Sequence, residues 1–120
     1  MHVRGGDIVG PGRAFFERAL ARMEKERPGL RYLVFTNDKE AAKEALEGEH
    51  TERKMTYISE LGAFSDIDEF FLMAACRHQI ISNSSYSTWA AYLNPNPEKV
   101  VIMPEYKGCE QIRLKEWIVL

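Results

Sequence analysis

Thiols are scarce in this sequence: Cys76 and Cys109 are its only two cysteines, and they stand far apart. Their separation matches neither a redox pair nor a zinc framework, so free thiols in a reducing, cytoplasmic compartment are expected. The three histidines are scattered as well, and Cys76-x-His78 is not half of a zinc site, which needs about four ligands. Excess charge of either sign is missing. Sixteen basic and eighteen acidic residues leave a formal charge of −2, without the basic field that nucleic acid demands. No apolar run approaches the ~20 residues of a membrane-spanning helix. Residues 2 to 13 are polar and glycine-rich, so no secretory leader is expected there. What remains is an ordinary globular composition, 45% hydrophobic and 28% charged in 120 residues, enough for one domain with a modest core. The chain opens on Met1 and at once "HVRGGD", with little before it to complete a strand. It is therefore expected to be a fragment of a longer protein.

Strand and helix signals alternate along it. Residues 1 to 4 read as the tail of a strand, and Gly5, Gly6, Gly10, Pro11 and Gly12 as a loop. A helix is expected from Pro11, with Phe16, Leu20 and Met23 on one face, stopped by Pro28-Gly29. "LRYLVFT" (30–36) has strand composition. Asn37 with Glu40 suggests a capping box, and Gly48 a helix end. "KMTYI" (54–58) is a short strand. Ser65 with Asp68 is a second capping box before "DIDEFFLMAACRH", whose apolar character predicts a deeply packed helix. "QIIS" is a strand, "SSYSTWAAYL" a helix and "KVVIM" a strand ended by Pro104. The tail, "EYKGCEQIRLKEWIVL", reads as irregular, with Trp117 to Leu120 packing back onto the body. His50 reads as an exposed loop residue and His78 as a core or strand-edge residue. This alternation predicts an α/β fold: a parallel sheet with helices on both faces.

Ligands of such sheets bind outside the carboxyl ends of the strands. There the sequence places Arg4, Gly5, Gly6 and Asp7; then Thr36, Asn37 and Asp38; then Ser82 to Ser85. The first amides of a helix lack intrahelical partners and carry roughly half a positive charge. Ser84 and Ser85 would add hydroxyls, and Arg4 a fork suited to phosphate. Asp7, Asp38 and Glu69 suit the ribose hydroxyls or base edge of a nucleotide. Each also has a structural use: Ser84, Ser85, Asn37 and Asp38 as helix caps, Arg4 as a surface charge. Neither the Walker nor the G-x-G-x-x-G fingerprint is met.

"HVRGGD", "YLVFTND" and "FFLMAACRHQIISNSSYSTWAAYLN" together resemble the elements H-[VI]-R-R-G-D, F-x-[FI]-[ST]-[DN]-D and D-x-x-L-M-x-x-C-x-H-x-I-I-x-N-S-[ST]-[FY]-S-x-W-x-A-x-L of the α-1,2-fucosyltransferases, glycosyltransferase family 11. The resemblance runs across essentially the whole chain. It implies transfer of L-fucose from GDP-fucose to the 2-hydroxyl of a galactose-containing acceptor glycan, with inversion and without a metal or other cofactor. It also implies the Rossmann-like, donor-binding half of a GT-B fold, so that residues 1–120 form a single GDP-fucose-binding domain whose N-terminal acceptor domain is missing. Any membrane attachment would come through that parent protein. By this resemblance Arg4 grips the diphosphate, and His2 contacts the nucleotide or supports its loop. Ser84 and Ser85 sit beneath the β-phosphate, Asp38 is the second acid of the middle element, and Glu69 meets guanine or ribose. Glu69 replaces an aspartate, for which the adjacent Asp68 could substitute. Two departures stand out: Gly5 replaces the second arginine and Asn37 the first acid. Asp7, the only carboxylate of the first loop, is the candidate general base, unless the base lies outside these residues. The alternative is a truncated or drifted module that binds nucleotide and catalyses nothing.

Overall fold

A computed structural model describes residues 1–5, 10–47 and 53–120. Gly6, Asp7, Gly48 and His50, each assigned a place from sequence, lie outside the described residues. Within them the chain alternates strands and helices, and all recorded strand pairs are parallel. Strand β1 (His2–Val3) pairs with β2 (Tyr32–Thr36) in the register His2↔Phe35 and Val3↔Thr36, and β2 pairs with β3 (Met55–Tyr57). A second sheet joins β4 (Gln79–Ile80), β5 (Val101–Met103) and β6 (Ile118–Val119).

The free edges β1 and β4 face each other. Ser82 Oγ and His2 Nδ1 lie 2.8 Å apart across the seam, and Val3, Ile80 and Ile102 share one core cluster. Taken across the seam, the order is 3-2-1-4-5-6, the doubly wound Rossmann-like arrangement, with its topological switch between β1 and β4. The single sheet read from sequence is thus present as two three-stranded halves.

Helix α1 (Arg13–Glu26) buries Phe15, Phe16, Ala19, Leu20 and Met23, the stripe its spacing predicts. It begins two residues later than Pro11, with Gly12 as its N-cap. Helix α2 (Lys39–Leu46) is capped by Asp38, whose Oδ1 accepts from the Ala41 N–H at 3.1 Å. The expected Asn37–Glu40 box is absent because the Asn37 side chain is held elsewhere. Helix α3 (Asp66–Ala75) carries the predicted Ser65–Asp68 capping box. It is less deeply packed than its composition suggests: Ile67 is 69% and Phe71 60% exposed, while Phe70, Leu72, Met73 and Ala74 meet the core. Helix α4 (Ser85–Leu93) follows β4.

The tail is not irregular. It forms helix α5 (Cys109–Ile112) and then β6, whose residues bond to β5. The two residues of β6 were too few to show strand periodicity. Trp117 does pack back, 3% exposed and stacked on Tyr92. Among the described residues no helix is long and apolar enough to cross a membrane.

Candidate active site

β1 and β2 run parallel, and Ser82, just past β4, meets His2 of β1, so the carboxyl ends of β1, β2 and β4 lie along one edge. A cavity of about 310 Å³ lies there, within the size range of small-ligand sites. Its lining includes His2 from β1 and Arg4 just past it, Phe35 and Thr36 from β2 and Asn37 just past it, Asp66 and Glu69 from α3, and Tyr86 from α4. Arg4 also lines a neighbouring cavity of about 480 Å³ with Gly5, Gly10, Arg13, Asp38 and Glu44. A third, of about 420 Å³, opens at the opposite edge between the strand starts, around Met1, Leu33, Cys76 and His78. That edge carries strand amino ends, so the ligand-binding rule for parallel sheets assigns the site to the first cavity.

The carboxyl edge is built by hydrogen bonds that continue the β1–β2 ladder. Past Val3↔Thr36 the backbone pairing stops, and the Asn37 side chain takes over. The Gly5 N–H donates to Asn37 Oδ1 at 2.9 Å, and Asn37 Nδ2 donates to the Gly5 carbonyl at 3.1 Å. Gly5 is needed here for space. A Cβ on it would stand 2.8 Å from Asp38 Cβ and 3.1 Å from Ala41 Cβ. Gly10 is equally confined, since a Cβ there would stand 2.4 Å from the Arg4 carbonyl oxygen.

Glu69 is tied to the end of β2. The Thr36 N–H donates to Ser59 Oγ at 3.1 Å, and Ser59 Oγ donates to Glu69 Oε1 at 2.5 Å. Asp68, the alternative to Glu69, is not among the cavity's lining residues. Its carboxylate accepts from the Ser65 N–H in the capping box, and Asp66 is the α3 aspartate in the cavity wall. Tyr86 lies against His2, with ring centroids 5.5 Å apart, and its hydroxyl donates to the Asp66 carbonyl at 2.8 Å. Burial, with Glu69 and Asp66 nearby, pushes its phenol up to about 12. His2 is 4% exposed. Burial, then the Met1 amine and Arg4, hold its imidazole down to about 3, so it is neutral at physiological pH.

The structure brings His2, Arg4 and Glu69 into one cavity. It sets Asp38 apart as the cap of α2, in the neighbouring cavity. Ser84 is the N-cap residue of α4, yet its side chain makes no capping bond, and its carbonyl accepts from the Thr88 N–H and Oγ1. Ser85, exposed, opens the helix beside Tyr86. Neither serine lines the cavity. Sequence reasoning missed Ser59, Asp66, Phe35 and Tyr86. An aromatic placed directly after the serine pair was the one available signal for Tyr86. Ser59 had none, because its role depends on where a 3-10 turn, Ile58–Leu61, delivers it.

The cavity lining thus combines one arginine, the acidic residues Asp66 and Glu69, and the aromatic residues Phe35 and Tyr86. This combination suits a ligand that carries both anionic groups and hydrogen-bond donors. Among the described residues, no group of three or more histidine, cysteine, aspartate or glutamate side chains could hold a metal ion.

Comparison with known proteins gives the same direction. No solved structure matches the chain. The O-antigen biosynthesis glycosyltransferase WbnK of Escherichia coli is 30% identical over 116 residues, covering 87% of this chain. The chain spans 37% of that protein's length. The model of glycosyl transferase family 11 matches residues 2–120, and the chain belongs to that family.

Proposed function

We propose that this chain is the donor-binding part of a fucosyltransferase that moves L-fucose from GDP-fucose to the 2-hydroxyl of a galactoside. The observation that carries this reading is the cavity at the β1–β4 switch, with Arg4 on its wall and Asp66 and Glu69 opposite in chemistry. In the proposed complex Arg4 and the first amides of α4 face the diphosphate, with Ser84 and Ser85 beside it. Glu69 accepts from guanine or ribose hydroxyls. When the acceptor 2-hydroxyl attacks C1 of fucose, the C1–O bond breaks and its electron pair passes to the β-phosphate oxygen. Arg4 and the helix amides stabilise the charge that develops there. The acceptor proton passes to a general base, for which Asp7 is our candidate. No metal or other cofactor enters this proposal. The acceptor we propose is a galactose-containing glycan, as the motif resemblance implies; the likeness to a glycosyltransferase of O-antigen biosynthesis supports a glycan acceptor in general. Its binding groups would come from chain beyond these 120 residues.

Titration calorimetry with GDP tests the reading. The chain should bind GDP, and Arg4→Ala should weaken binding about 10- to 100-fold, as loss of a charged hydrogen bond worth about 1.5–3 kcal/mol implies. Absence of heat with the unsubstituted chain, or equal binding by both, would sink it. These residues with GDP-fucose and lactose should give no turnover. Donor binding with turnover only in a longer chain separates this reading from a drifted, non-catalytic module.

A further inference from the structure

We infer that Asn37 is a positioning residue, whose side-chain amide holds Arg4 in place for the donor diphosphate. The inference rests on the donor-binding reading above. β1 is held to β2 by only two registered pairs, and Arg4 follows the second of them. The backbone of β1 beyond Arg4 is held to β2 by the Asn37 amide at Gly5, one bond in each direction, at 2.9 and 3.1 Å. Arg4 is thus bracketed by the ladder on one side and by Asn37 on the other. Its backbone is fixed where the cavity needs a charge.

The chemistry of the clamp is specific to an amide. One atom must accept from the Gly5 N–H while its neighbour donates to the Gly5 carbonyl. A carboxylate at this position could accept, but its second oxygen would face the carbonyl oxygen without a proton between them. A protonated carboxyl would restore both bonds. Asn37 thus differs in chemistry from an acid here, beyond its loss of charge.

This yields a test that a merely structural role would not pass. The affinity for GDP is measured for the unsubstituted chain, Asn37→Asp and Asn37→Ala between pH 7.5 and 4.5. At pH 7.5 both variants should bind about three- to tenfold more weakly. As pH falls, the deficit of Asn37→Asp should close, because the new carboxyl takes up a proton, while that of Asn37→Ala should stay constant. Among the described residues, the titratable and charged groups around position 37 are His2 from β1, the following Arg4, Asp66 and Glu69 from α3, Tyr86 from α4, and the adjoining Asp38. They are common to all three proteins and cancel in the ratio. Hydrogen exchange at the Gly5 amide should also quicken in Asn37→Ala while the β2–β3 amides keep their rates. That measurement decides the clamp even where Asn37→Asp fails to fold. If the unsubstituted chain binds GDP and Asn37→Ala binds as well, or if the Asn37→Asp deficit is independent of pH, the inference is overturned. If the unsubstituted chain does not bind GDP, the donor-binding reading itself fails.

Discussion

At the scale of single residues, the space around Gly5 decides what the first motif can be. Relatives are expected to carry arginine there, and its loss looked from sequence like a missing charge in a diphosphate site. The structure gives a steric reason instead: the start of α2 packs where a Cβ would go. Real Cβ atoms do not approach another carbon to 2.8 Å, so Gly5→Ala must displace Asp38 and Ala41. We expect a loss of about 1–3 kcal/mol, as for other overpacked sites. Gly5→Arg should cost more stability and give no gain in GDP affinity. Denaturant melts of both variants with GDP titrations check this, and a Gly5→Arg chain that binds GDP more tightly at unchanged stability would contradict it. Arg4, His2 and Glu69 were legible as residues because their motif positions named them. Their partners were not. The Asn37–Gly5 and Ser59–Glu69 bonds join residues 32 and 10 positions apart, set by register and by a 3-10 turn that no local pattern encodes.

Elements bring a different contrast, between two serines that look alike in sequence. Ser65 and Ser84 both precede helices at the carboxyl edge. Ser65 caps α3 reciprocally with Asp68, and this fixes the turn that carries Asp66 and Glu69. Ser84 makes no side-chain cap of α4. Ser65→Ala should therefore cost about 0.5–2 kcal/mol of stability, the usual worth of an N-cap. Ser84→Ala should leave the melting midpoint nearly unchanged while weakening GDP binding. Equal thermal losses in the two variants would refute the assignment. Element type was largely readable because helices and strands alternate with clear punctuation. The exceptions, α5 and β6, were short, of four and two residues. Burial was harder to read than type: α3 looked deeply buried because composition counts apolar residues without saying which face they occupy.

For the whole molecule, the seam between the half-sheets is the point of weakness to acid. The His2–Ser82 bond crosses it, and the imidazole is buried neutral at about 3 against an ordinary 6.5. Between those values the unfolded chain binds a proton that the folded chain refuses. Stability is therefore complete above about pH 6.5 and is lost as pH falls toward 3, at up to about 1.4 kcal/mol per pH unit for this group. His78, also held low by burial and by Arg27 and Arg77, acts in the same direction. Denaturant unfolding between pH 7 and 4 should show this slope, and His2→Gln should flatten it without abolishing it. Identical slopes would exclude the seam histidine as the cause. The strand order was legible only as far as "parallel sheet". That β1 and β4 would meet through the His2 and Ser82 side chains was not legible, because the contact joins residues 80 positions apart and no local pattern encodes it.

The two tryptophans have a practical consequence for optical work. Trp89 is 58% exposed on α4, the helix whose first turn borders the proposed diphosphate seat. Trp117 is 3% exposed and stacked on Tyr92 in the second half-sheet. Their fluorescence thus divides by environment. Trp89 emits from a watery setting open to quenchers, while Trp117 emits from an apolar one that lasts only as long as β5 and β6 stay packed. The chain carries a native pair of reporters: one on the exposed face of α4, and one for the integrity of its far half.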